Sequence, residues 1–134
     1  MADSNPLVKM PLRVRYHECD PQAVVFNAHY LAYADMACAE VFRELFGSYQ
    51  AVLDRGFDMV VAESNVRYLA PCRYDDELLV SAYVERVGTT SLVLRFEVQN
   101  GELPATEVVN RYVWIDQATK RPAAPPEDIR AAFR

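Results

Sequence analysis

The chain reads as α+β: one long helix followed by strands that hairpins can join into an antiparallel sheet. Three observations predict this. Residues 28–46 carry an apolar repeat of 3.6 residues, the period of a helix with one buried face. After Gly56 the apolar patterning has period two, the mark of half-buried strands. Asn100-Gly101 lies between two such runs and is the strongest hairpin signal in the sequence. A lone apolar helix followed by strands is packed most economically by wrapping the sheet round it.

In order along the chain, residues 1–10 read as a loose tail. Residues 12–17 alternate, with Leu12, Val14 and Tyr16 inward and Arg13, Arg15 and His17 outward. Asp20-Pro21 breaks that strand, because the residue before proline is disfavoured in helical geometry. Residues 23–26 are a short apolar crossing. The helix follows, with Asn27 as a good N-cap and Gly47 as its C′ residue. Its stripe is Tyr30, Tyr33, Ala34, Ala37, Cys38, Val41 and Leu45, rich in small side chains that let a sheet approach closely. Residues 48–55 fit a short helical turn. Strands are expected over 57–69, 77–87, 91–98 and 106–115, with a turn at Asp75-Asp76. Leu92, Leu94, Phe96 and Val98 should face inward. A proline-containing linker at 121–126 leads into a short helix from Glu127.

Totals bound the function. The 134 residues suit one domain with a sizeable core, with 1–10 as tail and 122–134 as C-terminal extension. A net charge of −5 argues against a nucleic-acid partner. No apolar run approaches the roughly 20 residues of a membrane span. The first residues lack an apolar signal core, so a cytoplasmic protein is expected. Cys19, Cys38 and Cys72 are odd in number and widely spaced, which disfavours disulfides and a zinc site. Two histidines limit metal and Ser-His-Asp chemistry further. There is no G-x-S-x-G, P-loop or Rossmann glycine pattern. No metal or cofactor is expected.

Asp20 is the first candidate for chemistry. It lies between a strand and a helix start, where free backbone N–H groups and the helix dipole favour developing negative charge. It can be a base or nucleophile there, or simply a turn aspartate ahead of Pro21. Asn27 can cap the helix or present its own N–H to a substrate. His29, in the first turn, can shuttle protons or be merely polar. Cys19 has no cation nearby to activate it and reads as packed. Tyr30, Tyr33 and Phe57 can line an acyl pocket or the core. Glu63 faces solvent or a partner's site.

These residues resemble a known family. Residues 16–30, YHECDPQAVVFNAHY, are similar to the active-site segment of the 4-hydroxybenzoyl-CoA thioesterase and its bacterial acyl-CoA thioesterase relatives. Residues 66–71, VRYLAP, and 74–78, YDDEL, are similar to that family's second strand and following turn. The resemblance spans roughly residues 12–115 and implies a hotdog fold, five antiparallel strands wrapped round one helix. It implies hydrolysis of an acyl-CoA or acyl-carrier-protein thioester and a homodimer or homotetramer with sites at the subunit interface. Asp20 matches the catalytic carboxylate, read as nucleophile or as base for water. Asn27 holds the position whose N–H polarises the thioester carbonyl. Val25, Phe26, His29, Tyr30 and Phe57 are then candidates to bind substrate, with Arg67 and Arg86 as candidates for CoA phosphates. Other arginines, Arg73 and Arg111, are further phosphate candidates.

Three departures stand out. Ala23 replaces a usual glycine and is strained if the position needs a positive φ. Asn27 replaces a histidine found in one subgroup. Residues 86–91 lack the cationic cluster some members use for CoA, Arg86 apart. A hydratase or dehydratase using His29, and a non-catalytic acyl-thioester binding module, are the rival functions; Ala23 favours the latter.

Overall fold

In the computed structural model, residues 5–134 are described. Five strands form one antiparallel sheet in the order β1-β3-β4-β5-β2. They are β1 (Val8–Arg13), β2 (Phe57–Tyr68), β3 (Glu77–Val87), β4 (Ser91–Asn100) and β5 (Leu103–Asp116). The helices are α1 (His29–Phe46), α2 (Gln50–Leu53) and α3 (Glu127–Ala132). This is the wrapped α+β architecture the sequence predicts, a hotdog fold.

The core lies between α1 and the sheet. Leu92, Leu94, Phe96 and Val98 of β4 all face it, as their alternation requires, and Tyr112 and Trp114 of β5 join them. Tyr30, Tyr33, Ala34, Ala37, Cys38, Val41 and Phe42 form the buried face of α1. Phe42 belongs there although it was absent from the predicted stripe, and Leu45 is only half-buried. Burying a side chain of this size stabilises by about 1.5–3 kcal/mol. The small stripe has the expected use: Ala34 and Ala37 are buried, so the helix axis sits close over the strands. Gly47 closes α1 at φ +85°, its N–H on the Arg43 carbonyl at 2.9 Å. Such a φ is cheap only without a Cβ. Gly101, at φ +64°, turns β4 into β5.

Three expectations need correction. The first strand is Val8–Arg13, paired with β3 from Val8↔Ala82 to Arg13↔Glu77. Residues 8–10 are therefore strand and not tail; residues 1–4 lie outside the described residues. The chain leaves the sheet at Val14, and residues 16–18 form a 3-10 turn. That turn breaks the alternation, so Tyr16 is 83% exposed and not inward. Finally, the N-cap of α1 is Ala28, with no side-chain cap, and not Asn27.

α3 docks by burying Ile129 and Phe133; Phe133 packs edge-on or tilted against Phe42, Phe46 and Trp114. The Arg130 guanidinium holds it to the Gly88 carbonyl at 3.0 and 3.1 Å. The two sheet edges are β1 and β2. Val60 and Val61 on β2 stand in the open.

Candidate active site

Between β1 and α1 the chain makes a small closed hairpin. Cys19 bridges to Val25, and the Phe26 N–H donates to the Glu18 carbonyl at 2.9 Å. At the tip, Asp20 N–H donates to the Val24 carbonyl at 2.9 Å and Ala23 N–H to the Asp20 carbonyl at 2.8 Å. This is the bonding of a tight turn closed by one left-handed residue. Ala23 is that residue, with φ +64°. The loop therefore keeps the shape that glycine would favour, and alanine bears the strain, about 1–2 kcal/mol. Val25 N–H donates to the Cys72 carbonyl at 2.8 Å and anchors the hairpin to the segment after β2.

Glu18 holds the hairpin from below. The residue is buried, 7% exposed. One oxygen, Oε1, accepts the Arg15 N–H and the Tyr33 hydroxyl, each at 2.8 Å. Burial first, and the Glu18 carboxylate second, push the Tyr33 hydroxyl above the usual phenol range. Tyr30 is raised likewise by burial and then by its bond with Cys72. Both therefore stay protonated and act as donors. Strand parity gave no signal for Glu18, because the 3-10 turn that contains it interrupts the alternation.

Asp20 is half-buried. Its Oδ1 accepts the Gln22 N–H at 2.8 Å, the Asx contact of a turn aspartate. Oδ2 has no protein partner among the described residues. The structural and chemical readings of Asp20 are thus compatible, since one oxygen shapes the turn and the other is free. Just beyond, α1 begins. His29 N–H bonds to the Phe26 carbonyl at 2.9 Å, whereas the Asn27 and Ala28 N–H groups have no acceptor among the described residues. Two unpartnered amides at a helix start form a site for an anionic oxygen.

Clefts flank the hairpin on both sides. One, of about 550 Å³, is lined by Tyr16, His17, Cys19, Asp20 and Tyr74 among others, with Tyr16 and Tyr74 edge-to-face at 6.3 Å. The other, of about 280 Å³, is lined by Val25, Asn27, Tyr30, Tyr68 and Leu69 among others. A cleft of about 570 Å³ between β1 and α1 is larger, but none of its lining residues belongs to the hairpin. Tyr16, Tyr68 and Tyr74 lie in the segments that resemble the family, but none was a candidate site residue, because strand alternation does not reveal which loops meet.

At the hairpin end of the sheet, Asp20 lines the first of these clefts and Val25, Asn27 and Tyr30 line the second, with Phe26 and His29 flanking the helix start. Phe26 is exposed and edge-on to the His29 ring at 6.0 Å. Two predicted residues are not there. Phe57 opens β2 while Tyr68, beside Asn27, ends it, and eleven residues of strand separate the two by roughly 35 Å. Arg86 sits near the end of β3 away from Glu77 and the hairpin, roughly 30 Å along the strand. Within the chain neither reaches Asp20, because the strands run the full length of the sheet. Arg67 and Arg111 are exposed and face Glu107 at 3.8 Å and Glu63 at 3.3 Å. Arg73, beside Tyr74, and Arg15, beside Tyr16, have no carboxylate partner among the described residues. No group of three His, Cys, Asp or Glu among the described residues is placed to hold a metal ion.

A family model described as the thioesterase superfamily matches residues 22–105. The acyl-CoA thioester hydrolase YbgC of Escherichia coli is 34% identical over 131 residues, 96% of each chain. A solved hypothetical protein from Aquifex aeolicus superposes with a TM-score of 0.89 at 19% identity, covering 95% of this chain and 99% of its own. The DHNA-CoA thioesterase of Staphylococcus aureus superposes at 0.86 with 22% identity, covering 93% and 87%. At these identities the two structures establish the fold alone.

Proposed function

The chain belongs to the thioesterase superfamily and is a thioester hydrolase, and on that premise we propose that its substrate is an acyl-CoA and Asp20 its catalytic carboxylate. One observation supports this most: a short hairpin holds a carboxylate with one oxygen unpartnered among the described residues, and the helix that follows starts with the Asn27 and Ala28 amides likewise unpartnered. The reaction is RCO–S–CoA plus water giving RCOOH and HS–CoA. Asp20 takes a proton from water as it attacks, or attacks the carbonyl itself and is released by water. In either case the carbonyl oxygen becomes negative, and the Asn27 N–H receives it at the helix start, where the dipole favours that charge. The thiolate leaves and is protonated.

The rival readings gain nothing. His29 packs on Phe26 and has no carboxylate partner among the described residues, as a hydratase would need. Ala23 adopts the left-handed conformation, so it no longer favours a binding-only role. The YbgC relatives, more similar to this chain, are named for acyl-CoA and support CoA, although a plant relative is named for an acyl carrier protein.

The working unit is a homodimer joined along the open edge of β2. Val60 and Val61 are 43% and 49% exposed there, and an unpaired apolar edge strand invites a second strand. Antiparallel pairing of two copies sets the Phe57 end of one β2 beside the Tyr68 end of the other, which returns Phe57 to a substrate-binding role. The chain works in the cytoplasm, and no helix among the described residues is long and apolar enough to cross a membrane.

The test is purified protein with an acyl-CoA series from acetyl to palmitoyl, plus benzoyl, and a thiol-trapping dye. Asp20→Asn should lower kcat roughly 10³-fold. Equal rates in the variant and the parent would sink the mechanism.

A further inference from the structure

The hairpin and the start of α1 are tied together by side chains that the hydrolytic mechanism leaves unused. Glu18 accepts the Tyr33 hydroxyl at 2.8 Å. Tyr33 packs edge-on against Tyr30, ring centroids 5.7 Å apart, and Tyr30 edge-on against Tyr68 at 5.8 Å. Tyr68 closes the circuit by donating its hydroxyl to the Asn27 carbonyl at 3.1 Å. Tyr68 is 54% exposed, so core packing does not account for it.

The Asn27 carbonyl and the Ala28 N–H belong to one peptide unit. That unit is trans, so the two groups point in opposite directions. A donor fixed on the oxygen holds the plane, and with it the direction of the Ala28 N–H. It also draws electron density toward the oxygen and strengthens the N–H as a donor. The Ala28 N–H has no acceptor among the described residues and is free to meet a ligand.

We propose that Tyr68 is a positioning residue for hydrolysis: through the Asn27 carbonyl it orients and polarises the Ala28 N–H as a second donor to the thioester oxygen. The inference rests on Asp20 and the helix start being the reaction centre. Tyr68 forms and breaks no bond to substrate; the Ala28 amide carries its effect.

Tyr68→Phe removes the hydroxyl and keeps the ring. With the fastest substrate of the acyl-CoA series, kcat should fall about tenfold, less than the loss on deleting an oxyanion donor outright. KM should stay within about twofold, because the effect is made mainly in the transition state. A spectroscopic reading separates polarisation from folding. In the Asp20→Asn background the thioester survives, and the carbonyl stretch of the same bound acyl-CoA, 13C-labelled at that carbon, is read by infrared difference. Adding Tyr68→Phe should move the band to higher wavenumber. An unmoved band with unchanged kcat overturns the proposal, as does a raised KM at constant kcat, which would make Tyr68 a substrate contact. Full activity in Asp20→Asn alone overturns the underlying mechanism instead, and is distinguishable because Tyr68→Phe kinetics do not depend on it.

Discussion

Asp20 shows how one residue serves a turn and a reaction at once. Its Oδ1 accepts the Gln22 N–H that fixes the turn, and its Oδ2 has no protein partner among the described residues. Three residues on, Ala23 bears a φ of +64° that alanine adopts at a cost. Ala23→Gly is expected to stabilise the protein by about 1 kcal/mol, net of glycine's greater freedom in the unfolded chain. Urea unfolding followed by circular dichroism measures this, and an unchanged or lower midpoint would show that the strain is relieved elsewhere. Glu18 carries a different load. Glu18→Ala leaves the buried Tyr33 hydroxyl and the Arg15 N–H without an acceptor. A loss of about 2 kcal/mol is expected, together with slower hydrolysis, since the hairpin carrying Asp20 rests on that carboxylate. Full stability in the variant would mean that water replaces Glu18 without cost.

At the scale of elements, α1 positions the site and β2 exposes it. The helix starts one residue later than its best capping residue suggests, and the Asn27 and Ala28 amides ahead of it have no side-chain or backbone acceptor among the described residues. β2 is paired only with β5, from Phe57↔Asp116 to Tyr68↔Thr106, with an irregularity between Val61 and Glu63. Its other edge is open. If that edge joins two copies, Val60→Lys with Val61→Lys should convert a dimer to a monomer, because charged side chains on an edge strand oppose pairing. Sedimentation equilibrium distinguishes the two. Loss of hydrolysis should accompany dissociation if the Phe57 end of a second copy completes the cleft. A double variant that stays dimeric would place the interface on another face.

For the whole molecule, the groups buried between α1 and the sheet set the response to pH. Burial pushes the Cys38 thiol up to about 11. It also raises the hydroxyls of Tyr30, Tyr33, Tyr49 and Tyr112. The native state keeps these protons at a pH where the unfolded chain, with values near 8.5 for cysteine and 10 for tyrosine, gives them up. The unfolded state then binds fewer protons, so stability falls as pH rises. The melting temperature should hold below about pH 8.5, decline from there toward 11, and fall faster once tyrosines ionise in the unfolded chain. A melting temperature that rises over that interval would contradict these burials.

Much of this molecule was legible one residue at a time. The period-two runs located β3, β4 and β5, Gly47 ended α1, and Asn100-Gly101 turned β4 into β5, since each depends on near neighbours in the chain. The residues around Asp20 were named because they lie in one continuous segment, 16–30, that resembles the family's active-site segment; that the segment closes as a hairpin was not foreseen. Long-range arrangement was not legible. Tyr16 turned outward because a 3-10 turn interrupts the strand pattern. Phe57 and Arg86 fell at the far end of the sheet because strand length separates residues that composition alone treats as equivalent. By itself the sequence determined the long helix, the strands after it and a turn at Asp20 ahead of that helix. Only the tertiary structure decided that Glu18 would be buried under Tyr33 and that Tyr68 would reach Asn27, since such contacts arise when distant segments close on one core.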